Sequence, residues 1–383
     1  MRTDRAVNIA DLRLLAKRRL PRIVFEVLDG ASEDQRALAR NMARLREHLL
    51  VQRVLRNGRP RDQSTTVFGK TYASCFGIAP TGFIGVMRNG IELMLAEAAR
   101  EANIPMILSG VSAQPIEKVA ARAPEQVWSQ IYAAKDPDIN ADMVRRAHDA
   151  GVGVLVWSVD MGAPPKNENQ MRSGAGFPPS PTLGSMVEAL AHPAWLFDYM
   201  CNDAAAIGSW QPYVDPGAPA YSGHKLFMAQ RFESLQWTML DTLRRLWSGP
   251  LVVKGILHPD DALRVAEGGA DGVIVSNHGG MGLDRAPASI DMLPGVVDAV
   301  GSKLTVMFDS GIRRGSDAVV ARCLGAQMVF VGRPTLYGAS AEGKAGALRA
   351  INILKDEIER TMGQIGCATG ADLKPEFVRK SQA

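Results

Sequence analysis

The sequence predicts an α/β protein built on one (β/α)8 TIM barrel, with an N-terminal helical extension and a long loop insertion after strand 4. Eight short runs rich in Val, Ile, Leu and Met recur along the chain, and amphipathic stretches separate them. Such apolar runs are typical of parallel strands that helices cover on both faces. The length of 383 residues exceeds what a barrel of this kind needs, so we expect one large domain with additions.

The eight predicted strands follow one another in chain order. They are residues 76–80, 106–109, 127–132, 154–160, 251–254, 272–277, 305–309 and 327–332. Helices are predicted between them at 90–102, 138–150, 233–247, 259–268, 289–300 and 315–324. Eight strands with helices between them imply a closed barrel.

Two segments lie outside this repeat. Residues 1–60 predict the helical extension, and residues 61–383 predict the barrel domain. Within the barrel, residues 161–230 combine Pro- and Gly-rich stretches with the apolar run HPAWLFDYM, which predicts a lid-like insertion. We expect its patch of Trp195, Leu196 and Phe197 to pack against the barrel or another subunit, and contact with a membrane is the alternative.

Charge and cysteine content argue against several classes of protein. The 44 Lys and Arg residues exceed the 40 Asp and Glu residues by too little to indicate a nucleic-acid partner. The four cysteines lack the spacing of a disulfide framework or a zinc site, which fits a reducing cytoplasm. The sequence shows neither a signal peptide nor an apolar run long enough to span a membrane. We therefore expect a cytoplasmic protein, and peripheral attachment to a membrane is the alternative.

Polar side chains follow the carboxyl ends of all eight predicted strands, where barrels of this kind carry their active sites. They are Thr81 and Gly82, Ser109, Gln130 and Tyr132, Ser158 and Asp160, Lys254, Ser276 with Asn277 and His278, Asp309, and Gly332 with Arg333. A purely structural barrel would not need this convergence, although some of these groups are expected to cap strand ends.

The loops after strands seven and eight predict a site for a phosphorylated ligand. Their sequences are DSGIRRG and VGRP. Glycines allow backbone N–H groups to approach a phosphate, and Arg313 and Arg333 add charge-assisted hydrogen bonds. The helix that begins near Ser316 offers its positive end.

Two further residues at strand ends are candidates for chemistry. Lys254 could stabilise a developing anion, act as a Schiff-base nucleophile, or form an ion pair with Asp160 or Asp309. His278 lies in SNHGG, where glycines leave room for a ligand. With Asp160 as an orienting carboxylate, His278 is predicted to be a general base.

Together these motifs resemble the FMN-dependent 2-hydroxy acid oxidase and dehydrogenase family, which includes glycolate oxidase, L-lactate dehydrogenase and mandelate dehydrogenase. The resemblance covers nearly the whole chain. It runs from LPRIVFEVLDGASEDQ through IAPTG, SQIY, VDMG, VVKG and VSNHGG to DSGIRRG, VGRP and AEGKAG. It implies an enzyme of the barrel fold with FMN as its cofactor, and it suggests a homotetramer.

The resemblance also implies a role for each strand-end residue. The residues expected to bind FMN are Thr81, Gly82, Ser109, Gln130, Ser158, Lys254, Ser276, Asp309, Gly311, Arg313, Gly332 and Arg333. His278 would take a proton from the substrate while hydride equivalents reach flavin N5, and Asp160 would stabilise the resulting imidazolium. Lys254 would favour the anionic reduced flavin, and Tyr132 would hydrogen-bond at the substrate.

The subsite for the substrate carboxylate departs from the family pattern. The family motif His-Gly-x-Arg becomes His278, Gly279, Gly280 and Met281, so the arginine is missing. The family's N-terminal tyrosine aligns with Val27, and the arginine expected after strand four aligns with Asn167. A carboxylate without its arginine would lose about 3 to 5 kcal/mol of binding, so simple 2-hydroxy acids are expected to be poor substrates.

Three hypotheses for the function follow. The first is an FMN-dependent enzyme that oxidises an alcohol carbon beside a neutral group, in an ester, amide, ketone, aromatic compound or modified peptide. The second keeps a 2-hydroxy acid and takes the missing charge from Lys166, Arg172 or Arg285. The third is a flavin-binding scaffold with little turnover. The presence of every predicted catalytic residue argues against this third hypothesis.

The electron acceptor is predicted from a single position. Typical oxidases of the family carry an alanine beside flavin N5, and this chain has Gly82 there, as in the dehydrogenase members. The resemblance therefore favours a quinone, another redox carrier or a protein as acceptor, with O2 as the alternative.

Overall fold

The computed structural model describes residues 2–56, 60–175, 182–201, 207–219, 221–231 and 235–381. Its strands are β1 (His48–Leu50), β2 (Thr65–Val67), β3 (Lys70–Tyr72), β4 (Phe76–Ile78), β5 (Met106–Leu108), β6 (Val127–Ile131), β7 (Leu155–Ser158), β8 (Leu251–Ile256), β9 (Gly272–Val275), β10 (Thr305–Phe308), β11 (Met328–Val331) and β12 (Val378–Lys380). Strands β4 to β11 coincide with the eight predicted runs. They pair in parallel and close into a barrel, which confirms the predicted fold.

Helices cover the barrel and form the segments added to it. They are α1 (Ile9–Arg19), α2 (Arg22–Asp29), α3 (Arg36–Arg46), α4 (Ile91–Ala102), α5 (Ile116–Ala120), α6 (Pro137–Asp149), α7 (Glu168–Ser173), α8 (Leu183–Leu190), α9 (Pro193–Met200), α10 (Ser222–Gln230), α11 (Thr238–Leu246), α12 (Pro259–Glu267), α13 (Ser289–Val300), α14 (Gly315–Cys323) and α15 (Arg333–Ile365). The six predicted helices correspond to α4, α6 and α11 to α14. Helix α11 begins later than predicted, and residues 233–234 of that prediction lie outside the described ranges.

Large side chains fill the interior of the barrel. Trp128 on β6 lies against Phe330 and Phe68, and its indole Nε1 donates a hydrogen bond of 3.0 Å to the hydroxyl of Tyr72. Phe68 and Tyr72 belong to the β2–β3 hairpin, which therefore helps to fill the barrel with apolar groups. A packed interior leaves only the carboxyl ends of the strands for a ligand.

The N-terminal segment is more than a helical extension. Residues 1–60 contain α1, α2 and α3 as predicted, but β1 pairs antiparallel with β12 near the end of the chain. Helix α3 also contacts the loop after β9, because the side-chain amides of Asn41 and Asn277 exchange two hydrogen bonds of 2.8 Å. The segment thus supports the mouth of the barrel.

The insertion over residues 161–230 contains α7 to α10. Trp195 is buried, and its indole Nε1 donates a hydrogen bond of 2.7 Å to the carbonyl of Val86. Leu196 packs partly against the core, whereas Phe197 is 70% exposed. The expected packing against the barrel therefore holds for two members of the apolar patch and not for the third.

Candidate active site

A cavity of about 400 Å³ lies at the carboxyl ends of the barrel strands. Most of the residues that the sequence singled out line it: Thr81, Gly82, Tyr132, Lys254, His278, Asp309, Gly311, Arg313, Gly332 and Arg333, together with Val27, Asn167 and Met281. Ser109, Gln130, Ser158, Asp160 and Ser276 are buried or nearly buried at the same strand ends, behind the lining.

His278 lies between a carboxylate and a phenol. Its Nδ1 is 2.9 Å from Oδ1 of Asp160, and its Nε2 is 3.4 Å from the hydroxyl of Tyr132. Burial alone would raise the pKa of Asp160, but its interactions with the imidazole of His278 and the ammonium of Lys254 hold that pKa below its ordinary value. Burial raises the pKa of Tyr132 to about 12, so its hydroxyl stays protonated at neutral pH. The imidazole is thus oriented from one side and hydrogen-bonded from the other.

The turn that carries His278 depends on glycine. A Cβ on Gly280, whose φ is +81°, would lie 2.6 Å from the backbone nitrogen of Leu38 in α3. The Asn277 side chain closes the turn, because its Oδ1 accepts from the N–H of Gly280 and its Nδ2 donates to the carbonyl of Pro287. Asn277 is therefore a structural residue of the strand end, and Asn41, which pairs with it, was not found from the sequence.

Lys254 is a buried cation with defined partners. Its Nζ is 3.2 Å from Oδ2 of Asp309 and donates a hydrogen bond of 2.9 Å to Oγ of Ser276. Burial lowers the pKa of Lys254, but the negative charges of Asp309 and Asp160 raise it by more than burial lowers it. The net shift of the pKa is therefore upward. A Schiff-base nucleophile needs a lowered pKa, so of the three roles considered for Lys254 the structure favours the ion pair and the stabilisation of an anion.

Two arginines face the part of the cavity formed by the loops after β10 and β11. Arg333 donates hydrogen bonds to the carbonyls of Gly279 and Gly30, and Arg313 lines the same wall. Burial and the neighbouring Arg313 lower the pKa of Arg333 to about 10. Two positively charged guanidinium groups that lie close enough to repel each other favour binding of an anion with more than one negative charge.

Several buried polar atoms lack a partner among the described residues. They include Nε2 of Gln130, Oγ of Ser158, Nε of Arg333 and Oδ2 of Asp160. Buried polar groups are normally hydrogen-bonded, so such a set at the strand ends indicates that a ligand with several polar atoms completes the site.

The three positions at which the family pattern has charged or hydroxyl-bearing side chains carry neutral side chains in this chain. Met281, Val27 and Asn167 all line the cavity, and Sδ of Met281 is 3.7 Å from Nη2 of Arg333. The proposed replacements Lys166, Arg172 and Arg285 lie elsewhere. Lys166 and Arg172 pair with Glu168 and have side chains that are 64% and 66% exposed, and Arg285 is exposed. None of these three replacements is part of the cavity lining.

One cation of the cavity was missed by the sequence analysis. Arg231 follows α10 and lines the cavity with His224, Phe227 and Met228, which share its face of the helix. The spacing of three and four residues could have grouped these positions, but the Pro- and Gly-rich insertion before them gave no reason to place α10 over the barrel mouth.

Comparison with known proteins places these observations in a family. Residues 16–380 match the family described as FMN-dependent dehydrogenase. The chain is 38% identical over 364 residues to an L-lactate dehydrogenase of Caulobacter vibrioides, covering 94% of each protein. It is 36% identical over 379 residues to a putative L-lactate dehydrogenase of Mycobacterium tuberculosis, covering 98% of this chain and 90% of that protein.

Solved structures agree with these relatives. The monotopic membrane protein (S)-mandelate dehydrogenase matches with a TM-score of 0.93 and 33% identity, over 98% of this chain and 100% of the other. A mandelate oxidase variant, in which leucine replaces an arginine, was solved with 2-hydroxy-phenylacetamide. It matches with a TM-score of 0.79 and 28% identity, over 98% of each chain.

Proposed function

The chain belongs to the FMN-dependent dehydrogenase family, and from this premise we propose that it oxidises the CH–OH carbon of a 2-hydroxy acid in the cavity at the barrel mouth. FMN is its cofactor, and its relatives act on lactate and mandelate. The observation that carries the proposal is the line of Asp160, His278 and Tyr132 at the cavity, with buried Lys254 nearby. A scaffold that only bound flavin would not need this line.

The cavity fits FMN on its own chemistry. The unpartnered donors of Gln130, Ser158 and Arg333 provide hydrogen bonds for a ligand with many polar atoms. We assign the flavin ring and ribityl chain to Thr81, Gly82, Ser109, Gln130, Ser158, Lys254, Ser276 and Asp309, and the phosphate to Gly311, Arg313, Gly332 and Arg333. When bound, FMN accepts the two electrons that leave the substrate.

In this proposal the protein's own residues handle the proton and the charge. His278 takes a proton from the substrate through Nε2, the ring nitrogen that faces Tyr132. Asp160, held against Nδ1, stabilises the imidazolium that forms. Tyr132 donates its hydroxyl to the substrate oxygen, and the Lys254 ammonium favours negative charge at the flavin side of the cavity.

The second candidate function is the oxidation of a CH–OH carbon whose neighbouring group is neutral. It is supported by Met281, Val27 and Asn167, which leave the expected carboxylate subsite without a charge. It is also supported by the mandelate oxidase variant, whose structure pairs the loss of an arginine with an amide ligand. The two candidates differ in one measurable property, which is the preference for an acid over its amide.

Anaerobic bleaching of the bound flavin tests both candidates. We expect mandelate to reduce the flavin and to do so with a lower KM than glycolate by at least about tenfold, because Phe83, Val111, Phe227 and Met228 offer apolar walls to its ring. Lactate, phenyllactate and 2-hydroxy-phenylacetamide complete the panel. Reduction by the amide alone would establish the second candidate, and no reduction by any member would overturn the proposed function.

We also propose that the enzyme attaches to a membrane surface through α8 and α9. No helix within the described ranges is long and apolar enough to span a membrane. The two helices nevertheless expose large apolar side chains to solvent: Leu183, Met186, Val187, Leu190, Phe197 and Met200. A patch of this kind suits the plane of a bilayer interface, and a mandelate dehydrogenase relative is a monotopic membrane protein.

Attachment to a membrane would bring the site close to a quinone acceptor. A quinone acceptor agrees with Gly82, which stands where typical oxidases of the family have an alanine. A Cβ at this position would lie 2.2 Å from Cγ2 of Val111, so the alanine of typical oxidases would require Val111 to move. The tetrameric state and the cytoplasmic location remain predictions of the sequence.

The double variant Leu190→Glu/Phe197→Glu is expected to abolish most binding to vesicles, because two buried carboxylates oppose insertion of the patch. The measurement is cosedimentation with vesicles of phosphatidylethanolamine and phosphatidylglycerol. Val54→Glu/Leu55→Glu, at two positions elsewhere that are more exposed than Leu190 and Phe197, is the matched control and should sediment as wild type does. Equal sedimentation of both double variants would contradict attachment through α8 and α9.

A further inference from the structure

Ser310 lines the cavity after β10 in a backbone conformation that favours glycine. Its φ is +84°, and the next residue, Gly311, has a φ of +91°. A serine in this left-handed region is strained, because its Cβ comes too close to the carbonyl oxygen. Strain of this kind persists where the surrounding structure holds the residue in place, and it is most frequent at functional sites. The contacts of the Ser310 side chain are therefore expected to have a function.

The hydroxyl of Ser310 links two loops at the mouth of the barrel. Its Oγ donates a hydrogen bond of 2.8 Å to Oδ1 of Asp309 and accepts one of 3.0 Å from the backbone N–H of Gly279. Ser310 is buried. One hydroxyl thus connects the carboxylate that pairs with Lys254 to the turn that carries His278.

The turn after β9 depends on such contacts for its position. His278, Gly279 and Gly280 follow one another with φ values of +57°, +63° and +81°. The N–H of Gly279 donates to Oγ of Ser310, and the carbonyl of Gly279 accepts a hydrogen bond of 3.1 Å from Nη1 of Arg333. The turn is therefore fastened to the loop after β10 on one side and to the loop after β11 on the other.

The contacts of Asp309 return to the same turn by a second route. Its Oδ2 is 3.2 Å from Nζ of Lys254, which donates a hydrogen bond of 2.9 Å to Oγ of Ser276. This Ser276 oxygen also accepts a hydrogen bond of 3.0 Å from the backbone N–H of His278. The contacts form a closed ring, and the members of a buried ring strengthen one another.

From this ring we propose that Ser310 is a positioning residue, which holds the base His278 and the cation Lys254 in their places through one hydroxyl. Its bond to Asp309 disperses part of the carboxylate's charge, so Lys254 keeps more of its own charge for the flavin. Its bond from Gly279 fixes the turn of the base. The inference rests on the proposed oxidation with FMN, and it adds a residue that the strand-end pattern does not select.

Two substitutions separate the hydroxyl from the backbone strain. Ser310→Ala removes the hydroxyl and keeps the strained Cβ, whereas Ser310→Gly removes both. Ser340→Ala is the matched control, because it makes the same change at a buried serine of α15 whose Oγ has no hydrogen-bond partner among the described residues. FMN content shows whether each variant is folded. Without FMN, Ser310→Gly should melt at a higher temperature than Ser310→Ala, since glycine adopts this φ without strain.

Sulfite tests the charge at the flavin without any substrate. It adds reversibly to the flavin ring and leaves negative charge there, which a nearby cation stabilises. The sulfite Kd, measured from the loss of flavin absorbance, is expected to rise about fivefold in both Ser310 variants, roughly the effect of one hydrogen bond. It should not change in Ser340→Ala.

Anaerobic reduction by mandelate tests the position of the base. The limiting rate of flavin reduction should fall about tenfold in both Ser310 variants, because the turn of His278 loses one of its two attachments. The mandelate concentration that gives half of this rate should change by less than about threefold, because the apolar walls of the cavity are unaltered. A general defect in folding would instead lower FMN content.

The outcomes separate this inference from the proposed function. If both Ser310 variants bind sulfite and are reduced by mandelate as wild type is, the inference is overturned. An unchanged sulfite Kd alone overturns the link to Lys254. If only Ser310→Ala is impaired, the backbone strain and not the hydroxyl is responsible, and the inference also fails. If no 2-hydroxy acid or amide bleaches the wild-type flavin, the proposed function fails, while the sulfite Kd still tests the link between Ser310 and Lys254.

Discussion

Replacing His278 with alanine is expected to slow reduction of the bound flavin by substrate by about 100- to 10,000-fold, which is the usual contribution of a general base. The imidazole is the group that can accept the proton, and Asp160 and Tyr132 hold it from both sides at 2.9 and 3.4 Å. FMN should remain bound, since the predicted phosphate ligands Arg313 and Arg333 are unchanged. Anaerobic stopped-flow spectroscopy with a saturating 2-hydroxy acid measures the reduction step directly.

Two further variants define the role of the base. His148→Ala removes an exposed imidazole from α6 and should reduce its flavin at the wild-type rate. Asp160→Asn should slow the same step by a smaller factor than His278→Ala, because it loses the stabilisation of the imidazolium but keeps the ring that accepts the proton. Reduction of the His278→Ala flavin at the wild-type rate would show that another residue is the base.

The barrel and most of the cavity were predictable because one topological rule links them. Buried parallel strands produce uninterrupted apolar runs, such as LVV in β8 and VIV in β9, and these runs are visible in the sequence. Once the runs are counted, the rule that sites lie at the carboxyl ends of the strands selects the residues that follow them. Lys254, His278 and Arg333 were found in this way without any knowledge of tertiary contacts.

Residues outside that rule could not be found in the same way. Asn41 reaches Asn277 across a separation of 236 residues, and β1 pairs with β12 through strands of three residues each. Arg231 lines the cavity because Phe227 packs on Trp210 and Tyr132. No periodic pattern in the sequence predicts that packing. The candidates Lys166, Arg172 and Arg285 were chosen by proximity in sequence, and the structure places all three away from the cavity lining.

The altered subsite shows that the residues aligned by family resemblance do not account for every charge in a cavity. Met281, Val27 and Asn167 do line the cavity. Their neutrality predicted a substrate without a carboxylate, because the charge was sought only at those positions and nearby in the chain. Arg231 lies 50 positions before Met281 in sequence and comes to the same cavity on a different element. A subsite is defined by which groups meet in space, so the loss of its usual residues does not by itself predict the loss of its charge.

Lys254→Met is expected to lower the free energy of unfolding by about 3 to 5 kcal/mol, because it leaves the carboxylate of Asp309 buried without its counterion. The Lys254 and Asp309 side chains are only 2% and 7% exposed, and their charged atoms are 3.2 Å apart. Solvent therefore screens the remaining charge poorly. Denaturant unfolding of the protein freed of FMN gives the value without a contribution from cofactor binding.

A second substitution distinguishes loss of the ion pair from loss of packing. Lys254→Met/Asp309→Asn removes both charges, and the neutral amide can still accept the hydrogen bond that Ser310 donates to position 309. The double variant should therefore recover part of the lost stability, whereas two independent packing defects would add. Lys303→Met, at an exposed lysine, should unfold as wild type does. A double variant that is less stable than Lys254→Met alone would show that the charge of Asp309 is stabilised by groups other than Lys254.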